Sequence, residues 1–483
     1  MGNARFFSIL AAFIIIYAVI LTPVQIISLG YLPPDDAKCH AAKVISGKSW
    51  QKVLVLRDDK TIDTHPGWNF IINLIHRITS WNVKGLVLFS VITLYAIVIM
   101  VPLLFIRKRE SWIIAVLMAL VIYSGMATRL LSGRPYLLIM AYVIFICFQW
   151  RGITDKKIKP IIMLFTIALS AASTWMQGTW YLLLLPILAF LFARQWRGAL
   201  RLAACTVGGV ALGAFLSGTP VLFLTSTFFY GFHVFSHIPG GLQNEEMHPC
   251  TEWWQPLIAF VAVLLVRRSR GEREKELLNS PIIFLALIGY LLGFYSLRFW
   301  SDWGLPALMV WMAMELDAVE MPLIGKEPRV RLLFSMAAAF AFYHCFVNYP
   351  SREWKTSHIT WNLSPIVLNA PGWLPERGGI LYNYDMLLFY DTFFLFPHAP
   401  WRYMLGFEPT MMPDDDVRTY ADILSTKCSY ASFEPWVRKM KAADRLALTR
   451  HPLRKPKITE LEWRCFGPAL WIGRLPRKGE NIQ

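Results

Sequence analysis

Tyr31-Leu-Pro-Pro-Asp-Asp-Ala-Lys-Cys-His40 follows directly on an apolar run, Phe6 to Gly30, that is long enough to cross a bilayer. The adjacent carboxylates Asp35 and Asp36 therefore emerge at the headgroup layer on the far side. A base that serves a lipid-linked substrate belongs at that depth.

The rest of the chain also reads as membrane protein. Hydrophobic residues make up 55% of its 483 residues and aromatic residues 14%, with a mean hydropathy of +0.43, which excludes an ordinary soluble domain. Met1 to Arg5 carries one basic residue and no small-residue cleavage pattern follows, so a retained first helix is expected rather than a signal peptide. Phe6 stands where a myristoylation signal wants Ser or Thr, so Gly2 is not read as a lipid site. The apolar runs and their punctuation give about eleven spans: 6–30, 84–106, 112–128, 136–150, 161–175, 181–193, 202–218, 255–266, 282–298, 305–318 and 332–348. Several fall short of about 20 residues and must be thickened by their flanks or buried among other helices.

Charge sets the orientation. The loops Arg107-Lys-Arg109, Arg151 to Lys159, Arg194 to Arg201, Arg267 to Lys275 and Lys326 to Arg331 alternate with connections poor in base, which assigns these five to the cytoplasmic side. Loops 31–83, 129–135, 176–180, 219–254 and 299–304 then face outward, with the amino terminus inside and everything after 348 outside. Val221 to Phe235 is apolar enough for a re-entrant or surface helix; as a span it would move the Arg267 cluster outside, against the charge bias. The net charge of +16 sits mainly in the cytoplasmic loops, where it reads as a topology signal and a contact with anionic lipid. No nucleic-acid motif accompanies it, so no nucleic-acid partner is expected.

From Asn348 the composition becomes mixed and charged, and residues 349–483 are long enough for one small α+β or α/β domain. Ile380 to Tyr384 predicts a strand, Asp385 to Phe396 an amphipathic segment, Asp416 to Leu424 and Phe433 to Arg445 helices, and Leu461 to Arg474 a closing strand or hairpin. Of seven cysteines, Cys147 and Cys205 fall inside spans and Cys345 near a membrane edge, where reduced thiols pack as small apolar groups. Cys39, Cys250, Cys428 and Cys465 face the outer side, and Cys428 with Cys465 is the preferred disulfide.

Candidate chemistry gathers in the outer loops. Asp36, His40, Lys43 and Ser46 fall at helical spacing, with Pro33-Pro34 before them and Asp35 near the N-cap, so Asp35 reads either as a cap or as a functional acid. Two side-by-side anions repel unless a cation or substrate relieves them. His65-Pro-Gly-Trp68 reads as a turn, with His65 either binding substrate or capping it. Arg129, Arg134 and Arg298 stand on the face where the charge rule disfavours them, so each calls for an anion: a bound phosphate, a lipid headgroup, or a structural carboxylate such as Asp302. In loop 219–254, His233 and His237 are four apart, but no zinc signature completes them beside Glu245, Glu246, His248 and Glu252. Gly-rich nucleotide loops and Gly-Xaa-Ser-Xaa-Gly motifs are absent.

Pro34-Asp-Asp-Ala-Lys-Cys-His-Ala-Ala-Lys43, His65-Pro-Gly-Trp68, Ser132-Gly-Arg-Pro-Tyr136 and Leu297-Arg-Phe299, set in this architecture, resemble the GT-C superfamily of integral-membrane glycosyltransferases. Leu405-Gly-Phe-Glu-Pro-Thr-Met411 is similar to a Gly-Leu-Asp-Pro-type segment of some members. The resemblance implies transfer of a sugar, with inversion, from a polyprenyl or dolichyl phosphate to a lipid, glycan or protein acceptor. It makes Asp35 or Asp36 the general base, with Asp36, beside Ala37 and aligned with His40, favoured. Arg129, Arg134 and Arg298 would steady the departing lipid phosphate, and Lys38, His40 and His65 would meet the substrate. It allows a divalent cation, Mg or Mn, without requiring one, and no metal ligands are assigned. The residue 349–483 domain departs from the carbohydrate-binding sandwiches and tetratricopeptide arrays of well-known members.

Two other classes compete. A flippase or permease for lipid-linked sugars would show charged or broken helices at mid-membrane and two similar halves, whereas here ionisable residues gather at the outer surface and the halves differ. A non-catalytic envelope scaffold would not need Asp35 and Asp36. The lone sequon at Asn362, with Pro365 behind it, adds little for an endoplasmic-reticulum setting, so a bacterial inner membrane is expected.

Overall fold

The computed structural model describes residues 2–33, 35–58, 63–236, 245–251, 253–269, 279–318, 328–361, 370, 372–449, 455–467 and 470–476. Pro34, His237, Glu252, Asn362 and the stretches 270–278 and 319–327 lie outside them, as do the side chains of His233 and Glu245.

This is a multi-pass membrane protein. Every one of the apolar runs contains helix, and among the described residues six helices are long and apolar enough to cross a bilayer: Phe6–Ser28, Val83–Leu104, Leu137–Thr154, Pro160–Gln177, Trp196–Leu216 and Pro328–Asn348. Among the shorter ones, Leu305–Ala318 is buried instead. In Leu305–Ala318 nearly every residue from Leu305 to Ala313 is hidden, so lipid contact does not set its length. Boundaries moved where turns intervene. The run read as 112–128 breaks after Ile122 and resumes as a separate helix, Met126–Leu131. The segment from Val221 is a helix, Pro220–Ser236, whose Val221, Phe229 and Phe232 are exposed.

The bundle has two chemically distinct ends. At one, the basic loops pair with acids: the Lys108 backbone N–H donates to Asp317 at 2.8 Å, Arg331 Nε to Glu110 at 2.6 Å and Arg267 Nη1 to Glu315 at 2.6 Å. At the other lie the first loop and the C-terminal domain.

The first loop is helical, as Asp36–Ser46, Trp50–Val53 and Pro66–Thr79. Pro66 occupies the first helical position, so His65-Pro-Gly-Trp68 starts a helix and is not the expected turn.

The C-terminal sheet contains β1 (Ile380–Asn383), β2 (Arg402–Tyr403), β3 (Arg445–Thr449), β4 (Glu462–Gly467) and β5 (Leu470–Arg474), in the order β2-β1-β3-β5-β4. β1 runs parallel to β2 and β3, and the β4–β5 hairpin closes the other side antiparallel. Alternating side chains cover both faces. Tyr382, Leu446, Leu448 and Trp471 meet helices Asp414–Ser425 and Glu434–Lys439, whereas Leu381, Tyr403, Ala447 and Ile472 meet helix Met386–Leu395.

Three expectations need correction. Helix Pro328–Trp361 runs unbroken past residue 348, so the chain enters the domain without a break there. The single helix expected over Phe433 to Arg445 stops at Lys439, because Arg445–Thr449 is the buried central strand. The second face's core is not the domain's own: Cys39, Ala42, Val53 and Leu54 of the first loop belong to it, and Leu54 pairs with Tyr403 at the sheet edge.

The expected disulfide between Cys428 and Cys465 is not formed. Cys428 sits beside Tyr384, whose hydroxyl bonds to Thr449 at the end of β3. Cys465 is on the edge strand β4, two strands from β3.

Because β5 is interior to the sheet, truncation after Glu460 removes β4 and β5 and opens both cores. Rapid protease digestion of the truncated domain, beside a resistant full-length protein, is the expected result. Equal resistance of the two would show that the hairpin is dispensable.

Candidate functional site

Asp35 and Asp36 do different work at one helix end. Asp35 is the N-cap, its Oδ1 accepting the Asp36 backbone N–H at 2.7 Å. Asp36 is the first helical residue, where the macrodipole favours a carboxylate. Its Oδ1 accepts from the Tyr390 hydroxyl at 2.7 Å and its Oδ2 from Arg134 Nε at 2.8 Å.

Arg134 ties this helix to the rest. It also lies 2.9 Å from Asp35 and bonds to Glu246, bridging three carboxylates with one guanidinium. Gly133 makes that possible with a φ of +67, and a Cβ there would meet the Val91 backbone nitrogen at 3.1 Å and the Ala37 Cβ at 3.3 Å. Only glycine lets the 129–136 turn press so closely against the aspartate helix.

Arg129 is buried behind it. Its Nε and Nη2 donate to Asp302 at 2.8 and 2.5 Å, its Nη1 lies 3.2 Å from Glu246, and its guanidinium covers the Tyr136 ring at 4.1 Å. Asp302 is carried on a π-helical turn, Trp300–Gly304, a widening that often marks functional sites. Arg298 is held far more loosely, 3.5 Å from Glu246 and 4.0 Å from Asp302, with 27% of its side chain exposed against 4% for Arg129 and 11% for Arg134.

These groups wall a cavity of about 870 Å³, open on one side. Asp36 and His65 come from the first loop, Arg134 and Tyr136 from the next turn, and Thr227, Tyr230 and Gly231 from the Pro220–Ser236 helix. Glu246, Arg298, Phe407 and Glu408 close it. Asp36 is therefore on the wall and Asp35 behind it.

Environment separates the two aspartates. Burial pushes Asp35 up, Arg134 only partly offsets this, and Asp36 and Glu246 add to it, bringing it up to about 7. Asp36 feels the same burial, but Arg134 and the Tyr390 hydrogen bond outweigh it and hold its carboxyl below the ordinary range. Asp36 is thus ionised at neutral pH. Burial also raises Glu408 to about 7 despite Arg298, with Asp36 and Glu246 contributing. Glu246, buried among Arg134, Arg129 and Arg298, is held well down.

Of the other expected residues, His65 lines the cavity and makes no side-chain cap bond; its Nδ1 meets Thr64 Oγ1 at 2.9 Å. Burial, with His40 beside it, takes its imidazole down to about 3, so it is neutral. His40 stands behind it, ring to ring at 5.1 Å. Its Nδ1 lies 2.8 Å from Asn69 Oδ1 while Asn69 Nδ2 donates to Asp63 at 2.7 Å, which makes His40 Nδ1 the protonated nitrogen. Lys38 does not reach the cavity: it is buried in an ion pair with Asp391 at 2.6 Å, and so locks the first loop to helix Met386–Leu395.

The sequence gives no sign of Tyr390, and Glu246, Tyr136 and Glu408 stand in its candidate loop and motifs without a role of their own. The one available signal was charge balance, since three arginines on a face poor in base need acids nearby. The carboxylates that converge are tied up by guanidinium groups or, in Glu408, shifted toward the neutral form. No cluster of three or more His, Cys, Asp or Glu able to hold a metal occurs among the described residues. The donor set does not fit the Mg or Mn that the resemblance allows, and no step below uses one.

Neither a family model nor a curated protein matches the sequence. Among solved structures, ArnT from Cupriavidus metallidurans bound to undecaprenyl phosphate superposes over 98% of both chains with a TM-score of 0.56 at 11% identity. An oligosaccharyltransferase from Archaeoglobus fulgidus, tethered to an acceptor peptide containing the NVT sequon, aligns over 92% of this chain and 69% of its own, with a TM-score of 0.46 at 11% identity. The chain shares its fold with ArnT.

The two contrasting arginines give a stability test. Arg134→Met leaves the half-buried Asp35 and Asp36 without their arginine, while Glu246 keeps Arg129 and Arg298, so unfolding of the detergent-solubilised protein should move several degrees down. Arg298→Met should leave it nearly unchanged. Equal shifts would contradict the reading of Arg134 as keystone and Arg298 as loosely held.

Proposed function

We propose that this protein is an inverting glycosyltransferase that moves a sugar from a polyprenyl-phosphate donor to a lipid, glycan or protein acceptor. It works in a bacterial inner membrane, with the C-terminal domain outside the cytoplasm. One observation carries the reading: an ionised Asp36 and a loosely held Arg298 face the same cavity at the loop-rich end of a GT-C fold. The segregation of Lys and Arg to the opposite end supports the orientation.

The chemistry follows from the two walls. An acceptor hydroxyl donates its hydrogen bond to Asp36, which takes the proton as the oxygen attacks the anomeric carbon. The bond from that carbon to the phosphate oxygen breaks on the opposite side, inverting the centre and leaving the electron pair on the phosphate. Arg298 balances the charge that develops there. Arg129 and Arg134 are spent on Asp302, Asp35, Asp36 and Glu246, so they shape the field and leave direct phosphate contact to Arg298. Tyr390 and Arg134 aim the Asp36 carboxylate, and the proton it gains leaves to solvent after turnover.

Label should pass from a radiolabelled polyprenyl-phosphate sugar to a second molecule when purified protein is mixed with membrane extract. Asp36→Asn should lower this transfer by about 10²–10⁴-fold, and Arg298→Met by about 10²–10³-fold. Near-normal transfer by Asp36→Asn would remove the proposed base. Tyr390→Phe should shift the acid limb of the pH–rate profile upward: its hydrogen bond lowers the Asp36 pKa, so without it the carboxylate forms only at higher pH. An unmoved limb with an intact fold would mean that Asp36 does not titrate in the rate.

A further inference from the structure

A second, smaller chamber adjoins the main cavity, and Arg298, Gln177 and Thr179 stand in the lining of both. We propose that this chamber holds the sugar ring of the donor, with Gln177 as its polar anchor and Arg298 at its mouth on the phosphate. The assignment rests on the polyprenyl-phosphate reading of the site.

The chamber's chemistry is mixed in the way a sugar demands. Phe299 and Trp303 contribute apolar and aromatic surface, suited to the C–H face of a pyranose or furanose ring. Gln177 is 8% exposed, and neither its Oε1 nor the Thr179 Oγ1 finds a hydrogen-bond partner among the described residues. Gly178 between them, left-handed with a φ of +69, ends helix Pro160–Gln177 and turns the chain at this point.

An amide oxygen left unsatisfied in a buried site costs about 1–3 kcal/mol, and sugar hydroxyls would relieve it. A prenyl tail offers no donor and would leave both oxygens stranded. The placement also suits the reaction. A ring here, with its phosphate on Arg298, presents its anomeric carbon at the junction of the two chambers, and Asp36 waits in the outer one.

The test compares ligands that differ only in the sugar. Full-length protein is titrated with undecaprenyl phosphate and with its glucosyl, mannosyl and arabinosyl esters. At least one ester should bind about tenfold tighter than the bare phosphate. Gln177→Leu should erase that gain while leaving bare-phosphate affinity unchanged and without lowering the unfolding temperature. A gain that survives in Gln177→Leu, an equal loss for bare phosphate, or no gain with any ester would overturn the assignment. If wild-type protein binds neither the bare phosphate nor any ester, the donor reading itself fails.

Discussion

One guanidinium, that of Arg134, holds together three carboxylates from separate parts of the chain. Asp35 and Asp36 begin the first loop's main helix, and Glu246 lies more than two hundred residues further on. Four buried acids, these three and Asp302, would repel one another strongly in a low-dielectric site, and they coexist because Arg134 and Arg129 sit between them. The cluster leaves Asp36 ionised and Asp35 shifted toward the neutral form. Two chemically identical neighbours thereby acquire different characters, a pattern that assigns acid–base roles in many enzymes.

The C-terminal domain completes this arrangement and is not simply attached to it. Helix Met386–Leu395 brings Tyr390 to Asp36 and Asp391 to Lys38, while Phe407 and Glu408 close the cavity wall. The first loop in turn supplies core residues to the domain and pairs with its sheet edge. First loop and domain are thus one packed unit, and a change in the domain's position would be felt at the Asp36 carboxylate.

Much of this was legible in the sequence, for identifiable reasons. Spans of lipid-crossing length show as apolar runs, and Asp35 and Asp36 stood out because adjacent anions after such a run need explaining. Arg129, Arg134 and Arg298 stood out because they break the charge rule. The strand Arg445-Leu-Ala-Leu-Thr449 did not: it is buried on both faces, so it lacks the alternation that marks a half-exposed strand. The pairing of Lys38 with Asp391 and of Asp36 with Tyr390 spans some 350 residues, and no local spacing encodes contacts of that range. Glu246 was one polar residue among several in its loop until the three arginines around it gave it a role.

The central claim is that Asp36 and Arg298 face a single reaction centre. An experimental structure with undecaprenyl phosphate bound tests it most directly. The phosphate should lie within hydrogen-bond distance of the Arg298 guanidinium, with Asp36 across an open gap the width of a sugar. A phosphate seated away from Arg298, or one whose path to Asp36 is blocked by protein, would contradict it.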